Sequence, residues 1–209
     1  MSNHDAYFDA LSICDRLQPI LGQVATSEVH LIAYLSCLLA LYRGRAVGNW
    51  GYKFAVTKEG YPYSPDVQAA VDTLLHQGVL VADADSFLMV TRSGTEELAL
   101  LRSLGAFRER DEYINGACGS TLALPTGTIR DAVAHAPDVR GALRMGQTRL
   151  LLTQSGQNLL YDQFAALSQA VGIDVADLMV PAVVWLIYLL EASADGPAPT
   201  HAPAHAGEA

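Results

Sequence analysis

The chain has 209 residues, of which 51% are hydrophobic and only 17% are charged, and its formal net charge is −9 at pH 7. This length suffices for one large domain or two small ones, each with its own core. The charge content lies below the usual quarter, so we expect part of the apolar surface to be hidden against a partner protein. The net negative charge excludes binding of phosphate backbones through overall charge, unless the few cations lie together on one face.

The charges are unevenly distributed along the chain. No Lys or Arg follows Arg149, whereas six acidic residues do, so residues 150–209 carry −6 of the total −9 and residues 1–149 carry the remaining −3. Any anion-binding surface is therefore expected within the first 149 residues.

The cysteines and the apolar runs indicate the compartment. Cys14, Cys37 and Cys118 are odd in number and have no metal-like spacing, which favours buried thiols in a reducing cytosol. The N-terminus lacks the basic segment and apolar core of a signal peptide. The longest apolar run, residues 178–190, is too short to span a bilayer and contains Pro181. The sequence therefore predicts a cytoplasmic protein.

Apolar periodicity predicts two helices at the start of the chain. The first covers residues 5–22, and Pro19 predicts a kink or an early stop near its end. The second covers residues 27–43 and is apolar nearly all round, which is typical of a central helix. Either Thr26 or Ser27 is expected to cap it. His30, on this helix, has no partner at metal-ligand spacing, so we interpret it as a core or surface histidine.

An aromatic connector, defined here as residues 47–64, follows the central helix. Alternation from residue 50 to residue 57 predicts a short strand, and residues 61–63 are expected to be extended because of Pro62. Its first aromatic side chains are expected in the core: Trp50, Tyr52 and Phe54. Tyr61 and Tyr63 are predicted at its exposed edge, as candidate contacts with a partner protein.

The next elements complete a recognisable order. Ser64 is expected to cap a helix over residues 65–77, with Pro65 at its first position. Residues 79–82 and 87–90 predict a β-hairpin, and another helix begins near Ser93. Helix, short strand, helix and hairpin is the order of a winged-helix domain, in which residues 65–77 take the place of the recognition helix.

The second half is predicted to be mostly helical. Residues 107–124 favour a helix broken at Asn115-Gly116 and Cys118-Gly119-Ser120, and residues 149–153 fit either a strand or a helix. A very apolar last helix, residues 175–192, contains Trp185, and a disordered tail is expected after it.

The predicted fold class is therefore mainly α with a small β-hairpin. We expect three regions: a winged-helix-like domain over residues 1–104, a helical domain over residues 105–192, and a disordered tail over residues 193–209. Residues 125–190 fit a second winged-helix-like unit.

Direct reading of DNA by the recognition-position helix is disfavoured. This helix carries Asp66 and Asp72 and no Lys or Arg, and only Gln68 and Gln77 suit contacts with base edges. We therefore expect it to pack inside the fold or to meet a protein.

The remaining candidate sites are weak. The densest cationic group could meet a phosphate backbone or an acidic partner, or form a solvated face; it consists of Arg130, Arg140, Arg144 and Arg149. Cys118 lies in a Cys-Gly-Ser run without an identifiable base, which is poor support for a nucleophile. Trp185 is interpreted either as core or as a contact with a partner. The residues thus predict no catalytic set, no metal site and no cofactor site.

Four short motifs carry a family resemblance: Glu28 with the run 31–36, Trp50-Gly51-Tyr52-x-Phe54, Gly60-x-Pro62-Tyr63-Ser64, and Leu74-x3-Gly78. Together they resemble the small middle components of ABC-three-component, or Lamassu-like, anti-phage systems, over residues 26–104. The resemblance implies a winged-helix accessory subunit without enzymatic activity. Its implied partners are an SMC-like ABC ATPase, which recognises foreign DNA, and a nuclease effector that the ATPase controls.

The Gly-x-Pro-Tyr-Ser motif is also similar to that of unrelated winged-helix antitoxins. The alternative is therefore a free-standing winged-helix regulator or antitoxin that binds DNA as a homodimer. An enzyme is the third hypothesis.

Overall fold

The computed structural model describes residues 3–57, 60–144, 149–172 and 174–194. These segments are mainly helical, as predicted, and they contain a three-stranded antiparallel sheet in addition to the predicted hairpin. The helices are α1 (His4–Leu21), α2 (Thr26–Tyr42), α3 (Pro65–His76), α4 (Arg92–Ser103), α5 (Arg108–Ala123), α6 (Thr126–Ala134), α7 (Pro137–Arg144), α8 (Gln154–Val171) and α9 (Met179–Ala194). The strands are β1 (Ala55–Val56), β2 (Pro62–Tyr63), β3 (Leu80–Ala82), β4 (Leu88–Val90) and β5 (Arg149–Leu150).

Helix α2 is the centre of the fold, as its all-round apolar sequence predicts. Every residue from Val29 to Tyr42 is buried, and α2 packs most extensively against α5. The prediction that Thr26 or Ser27 caps this helix is wrong. Ala25 occupies the N-cap position, and the Glu28 carboxylate accepts a hydrogen bond from its backbone N–H at 2.9 Å. The Glu28 carboxylate therefore accepts from the Ala25 N–H, which a Thr26 or Ser27 hydroxyl, inside the helix, could not reach.

Helix α1 runs past Pro19 and ends at Leu21. Gly22 follows with φ of 77°, a left-handed conformation that glycine adopts without a steric penalty. Proline in the last turn therefore leaves most of the helix intact, and the long buried face of α1 packs on α3 and α5.

The β3–β4 hairpin forms as predicted, with Leu80 opposite Val90 and Ala82 opposite Leu88. Val24, in the link between α1 and α2, adds an isolated antiparallel bridge to Leu88, whose N–H donates to the Val24 carbonyl at 2.8 Å. This bridge connects the beginning of the chain to the hairpin.

The aromatic connector forms less strand than predicted. Residues 47–49 form a 3-10 turn, and only Ala55–Val56 is a strand. Gly51 interrupts the extended backbone with φ of 96°, whereas Trp50, Tyr52 and Phe54 are buried as expected. β1 pairs with β2 and, on its other side, with β5, so residues 149–150 adopt the strand alternative.

Helix α5 is continuous, so the predicted break at its glycines is wrong. A Cβ at Gly116 would lie 2.5 Å from the Cβ of Leu178, which shows that the glycine allows the start of α9 to approach α5. The packing against α9 offsets the conformational cost of glycine in a helix.

One hydrophobic cluster spans the chain and includes α1, α2, α5 and α9, so the core continues across the predicted boundary at residues 104–105. The described residues between 125 and 190 contain β5 and helices but no second hairpin, and β5 pairs with the N-terminal half. The second winged-helix-like unit stays a prediction. α9 reaches Ala194, and the predicted tail from 195 onwards lies outside the described residues. None of the described helices combines the length and apolar character needed to cross a bilayer.

Candidate interaction surfaces

The structure brings together two residues that the sequence singled out separately. Arg130, on α6, donates a hydrogen bond to the Tyr61 hydroxyl at 2.7 Å, and its guanidinium lies 5.5 Å from the centre of the Tyr61 ring. Arg130 also forms an ion pair with Asp131 at 3.2 Å. Tyr61 is half-buried and Arg130 is exposed, so the pair presents an aromatic ring beside a cation at the surface.

Three of the four predicted arginines have described side chains, namely Arg130, Arg140 and Arg149. Arg149 lies in β5 opposite Val56, which in turn lies opposite Pro62, so Arg149 shares the end of the sheet next to Tyr61. Arg140 is exposed on α7 and borders a groove of about 190 Å³ together with residues of α9. The side chain of Arg144 lies outside the described residues.

Tyr63 is half-buried and packs against His30, with 4.7 Å between the ring centres. The His30 Nδ1 accepts from the backbone N–H of Ser64 at 3.3 Å, so the ring proton is on Nε2, which faces the Gln68 side-chain oxygen at 3.3 Å. Burial lowers the pKa of His30. His30 thus connects α2 to the start of α3 as a neutral side chain, in agreement with its interpretation as a core histidine.

Helix α3 offers little to DNA. Gln68 donates to Asp72 at 2.9 Å, and Gln77 accepts from the Tyr7 hydroxyl at 2.9 Å, so both glutamines that suited base reading take part in internal hydrogen bonds. The exposed residues of α3 include no Lys or Arg. The tip of the hairpin is acidic as well, where Asp83 accepts from two backbone N–H groups of its own turn.

A buried ionic node joins α1, α5 and the connector, and the sequence interpretation missed it. Asp9 is completely buried and accepts from Arg110 at 2.5 and 2.8 Å and from the Tyr52 hydroxyl at 2.5 Å. Arg110 also donates to the Trp50 carbonyl at 2.8 Å, and its guanidinium lies 3.8 Å from the Trp50 ring centre. The sequence contained a signal for this node, because Asp9 lies between Ala6 and Ile13 on the buried face of α1.

Burial opposes the charge of Arg110, but the neighbouring Asp9 carboxylate outweighs burial and raises the pKa of Arg110. The guanidinium therefore remains charged, and the node is a satisfied ion pair of the core, since a buried charge without its partner is costly. Its geometry fixes the connector on α1 and α5.

A second buried carboxylate has a similar structural role. Asp138, at the start of α7, accepts from the Tyr34 hydroxyl at 2.9 and 3.1 Å and from the Val139 N–H at 3.0 Å. Burial raises the pKa of Asp138, and the Tyr34 hydrogen bond opposes that shift. Asp138 thus connects α7 to the central helix.

All three cysteines are buried. Burial raises the pKa of Cys14 to about 12 and raises the pKa of Cys118 further above its ordinary value. A thiol of this kind remains protonated at neutral pH, whereas a catalytic nucleophile needs an accessible thiolate. Among the described residues no group of three or more His, Cys, Asp or Glu side chains is arranged to hold a metal ion.

Two pockets flank the connector. One, of about 270 Å³, is lined by Trp50, Arg110 and Tyr113 together with the ion pair between Arg45 and Glu109, whose closest atoms are 2.6 Å apart. The other, of about 380 Å³, is lined mainly by apolar residues of the connector and of 150–152. The charged pair at the first pocket is engaged internally. The thiol that lines this pocket, Cys37, is buried, and burial raises its pKa, so it is not an accessible nucleophile.

Helix α9 has two different faces. Trp185 is only 2% exposed and donates to the Gln163 side chain at 3.1 Å, so it belongs to the core, and its alternative interpretation as a partner contact is corrected. The opposite face is solvent-exposed and apolar; this outer stripe consists of Val180, Val184, Ile187 and Tyr188. The spacing of these residues by four, three and one places them along one side of the helix. A helix that is apolar all round at the edge of a fold leaves such a stripe uncovered.

Comparison with known proteins identified no matching family model, no matching curated protein and no matching solved structure.

Proposed function

We propose that this chain is a non-catalytic, cytoplasmic accessory subunit that binds other proteins. Its proposed partners are an SMC-like ABC ATPase and a nuclease effector of an anti-phage defence system. The observation that carries the proposal is the outer stripe of α9, because four apolar side chains on one helix face remain 38% to 51% exposed in the described fold. Contiguous exposed apolar surface is a mark of protein interfaces.

We also propose that residues 1–104 form a winged-helix unit. The order α1, Val24 bridge, α2, α3, β3 and β4 supports it, because an isolated bridge residue between the first two helices pairs with the hairpin. In this unit α3 contributes to protein contact or to internal packing. Its lack of cations and the acidic hairpin tip support that assignment over DNA reading.

We propose no catalytic role because the carboxylates and thiols that could carry one are buried. The buried carboxylates Asp9 and Asp138 are engaged by tyrosine hydroxyls, and the thiols of the described residues are buried. The proposed subunit therefore contributes contacts, and its partners contribute the chemistry.

Co-expression with the products of the neighbouring genes tests this function. We expect the chain to co-elute in one stable complex with an ATPase and a nuclease. Recovery of the chain as a lone, monodisperse dimer that binds DNA would instead establish the alternative, a winged-helix regulator or antitoxin. The specific observation in favour of that alternative is the group of Arg130, Tyr61 and Arg149 at the end of the sheet. Reversal of the charges of Arg130 and Arg149 would then weaken DNA binding, and unchanged DNA affinity would exclude these arginines as contacts.

A further inference from the structure

We infer that the outer stripe of α9 is a docking site for a single amphipathic helix of another protein, with basic residues at both ends of its apolar face. This inference rests on the proposed function and adds the chemistry of the partner. Three observations carry it: the apolar composition of the stripe, its size and its acidic ends.

The apolar composition is complete over two turns. From Met179 to Leu190 every exposed residue of α9 is apolar, and the four side chains of the stripe are between 38% and 51% exposed. Apolar side chains at positions i, i+4, i+7 and i+8 present the ridge that an amphipathic helix covers with its own apolar face. The stripe extends from Val180 to Tyr188, about 12 Å at 1.5 Å per residue.

The size of the stripe favours one helix over a globular partner. Four partly exposed side chains offer on the order of 300 Å² of apolar surface, whereas a stable interface between two globular proteins buries about 800 Å² on each side. A docking helix needs only the ridge and its immediate margins.

The acidic ends of the stripe select the charge of the partner. Asp177 precedes α9 and Glu191 lies one turn from Ile187, and both are exposed. Residues 150–209 contain no Lys or Arg, so neither α8 nor α9 supplies a cation nearby. Arg140, on α7, is an exposed cation at the margin, across a groove from Tyr188. Lys or Arg at the ends of the partner helix would face Asp177 and Glu191 and steer the encounter.

The same acidic ends disfavour a second copy of this chain. In a symmetric dimer through α9, Asp177 and Glu191 of one chain would face acidic residues of the other, whether the two helices run parallel or antiparallel. Like charges across an interface are repulsive, so the occupant with complementary charge is a different protein.

Two synthetic helical peptides with the same apolar face test the inference, one with Lys at both ends and one with Glu. We expect the full chain to bind the Lys-flanked peptide at least ten times more tightly than the Glu-flanked peptide. The double variant Val184→Asn with Ile187→Asn should weaken binding of the Lys-flanked peptide by about tenfold or more, because truncation of central apolar contacts dominates interface energies.

A second double variant tests how much the acidic ends of the stripe contribute to peptide binding. Asp177→Asn with Glu191→Gln removes both charges, and Asn retains an oxygen that can accept from the Met179 N–H, as Asp177 does at 2.9 Å. This variant should bind the two peptides equally. Leu100→Asn is the matched control, since Leu100 is an exposed leucine on α4, and it should bind like the unmodified chain.

Equal affinity of the unmodified chain for both peptides, or no binding of either, would overturn the inference. So would a dimer of the chain that the Val184→Asn, Ile187→Asn variant dissociates, because the occupant would then be a second copy. Circular dichroism melting of each variant checks that the fold is intact.

If the multi-subunit complex forms normally with the stripe variant, the docking inference fails while the proposed function stands. If the peptides bind as expected but no complex forms with the neighbouring gene products, the proposed function fails.

Discussion

The carboxylate of Asp9 and the guanidinium of Arg110 form a bidentate pair in the core, at 2.5 and 2.8 Å, although 101 positions separate them in the chain. Asp9 is completely buried, so its charge depends on Arg110 for compensation. We expect Arg110→Met to lower the free energy of unfolding by about 3–5 kcal/mol, because it leaves a buried carboxylate without its cation. Urea denaturation measures this loss.

The double variant Asp9→Asn with Arg110→Met is the companion experiment. Since it removes both charges together, it should be more stable than Arg110→Met alone, and the double-mutant cycle should show strong coupling. A loss of less than about 1 kcal/mol for Arg110→Met would contradict a buried ion pair of this importance.

His30 makes stability depend on pH in a defined direction. Burial lowers its pKa in the folded chain, whereas in the unfolded chain it titrates near the ordinary value of about 6.5. Its contribution is therefore fully present above about pH 6.5 and is lost as the pH falls through the folded-state pKa, because only the unfolded state binds the proton. We expect His30→Asn, which keeps an acceptor for the Ser64 N–H, to reduce the fall in stability between about pH 7 and pH 5. His76→Asn, at an exposed position, is the control. An identical pH dependence in the His30 variant would refute the assignment.

Among the glycines of α5, Gly116 is predicted to tolerate substitution least. Gly116→Ala places a methyl group 2.5 Å from the Leu178 Cβ, so α5 and α9 must move apart. We expect a loss of about 1–3 kcal/mol, typical of overpacking, despite the better helix propensity of alanine. Gly127→Ala is the control, since its methyl group meets nothing within 4 Å. Thermal melting of the two variants would disprove the tight contact if both were equally stable.

Tyr61 and Tyr63 remain predicted contacts with a partner. Replacement of both by Ser should weaken the affinity for the partner subunit by about tenfold or more, as expected when aromatic contacts are removed from an interface. Tyr161→Ser, at an exposed tyrosine of α8, is the matched control. Titration calorimetry with the purified partner measures both. Unchanged affinity of the double variant would remove the two tyrosines from the interface and leave the Tyr61–Arg130 pair as a structural contact.

The thiols should be unreactive in the folded chain. Burial raises the pKa of Cys14 to about 12 and raises that of Cys118 as well, so iodoacetamide at neutral pH should modify them only as fast as the structure opens. Mass spectrometry of the native and urea-denatured chain measures the difference. Rapid modification of Cys118 in the native chain would revive the nucleophile hypothesis.

Local signals predicted the N-terminal elements well because their determinants lie close in sequence. The Ser64 cap, the Pro65 start and Gly78 mark α3 within a few residues, and the hairpin follows from alternation and its turn. The continuity of α5 could not be predicted, since the feature that stabilises Gly116 inside a helix is Leu178, about 60 residues away. The two-residue strand β5 likewise exists only because β1 offers it an edge.

The sequence predicted residues of the candidate surfaces but not the contacts that these residues make. Tyr61 and Arg130 were both candidates, but no spacing rule connects residues 69 positions apart. Trp185 and the outer stripe share one helix that is apolar on all sides, so the sequence could not decide which side the core covers. The packing of α5 on α9, where Gly116 meets Leu178, determines which side of α9 is buried.

The pairing of β1 with β5 has a consequence for how the chain folds during synthesis. Ala55 pairs with Leu150, so after β1 leaves the ribosome about 95 more residues must be made, which takes roughly 5–20 s at ordinary elongation rates. Throughout that interval one edge of β1 has no partner strand, and open strand edges promote association between chains. A prematurely terminated chain that stops after α5 never supplies β5, so β1 then has β2 as its one partner strand.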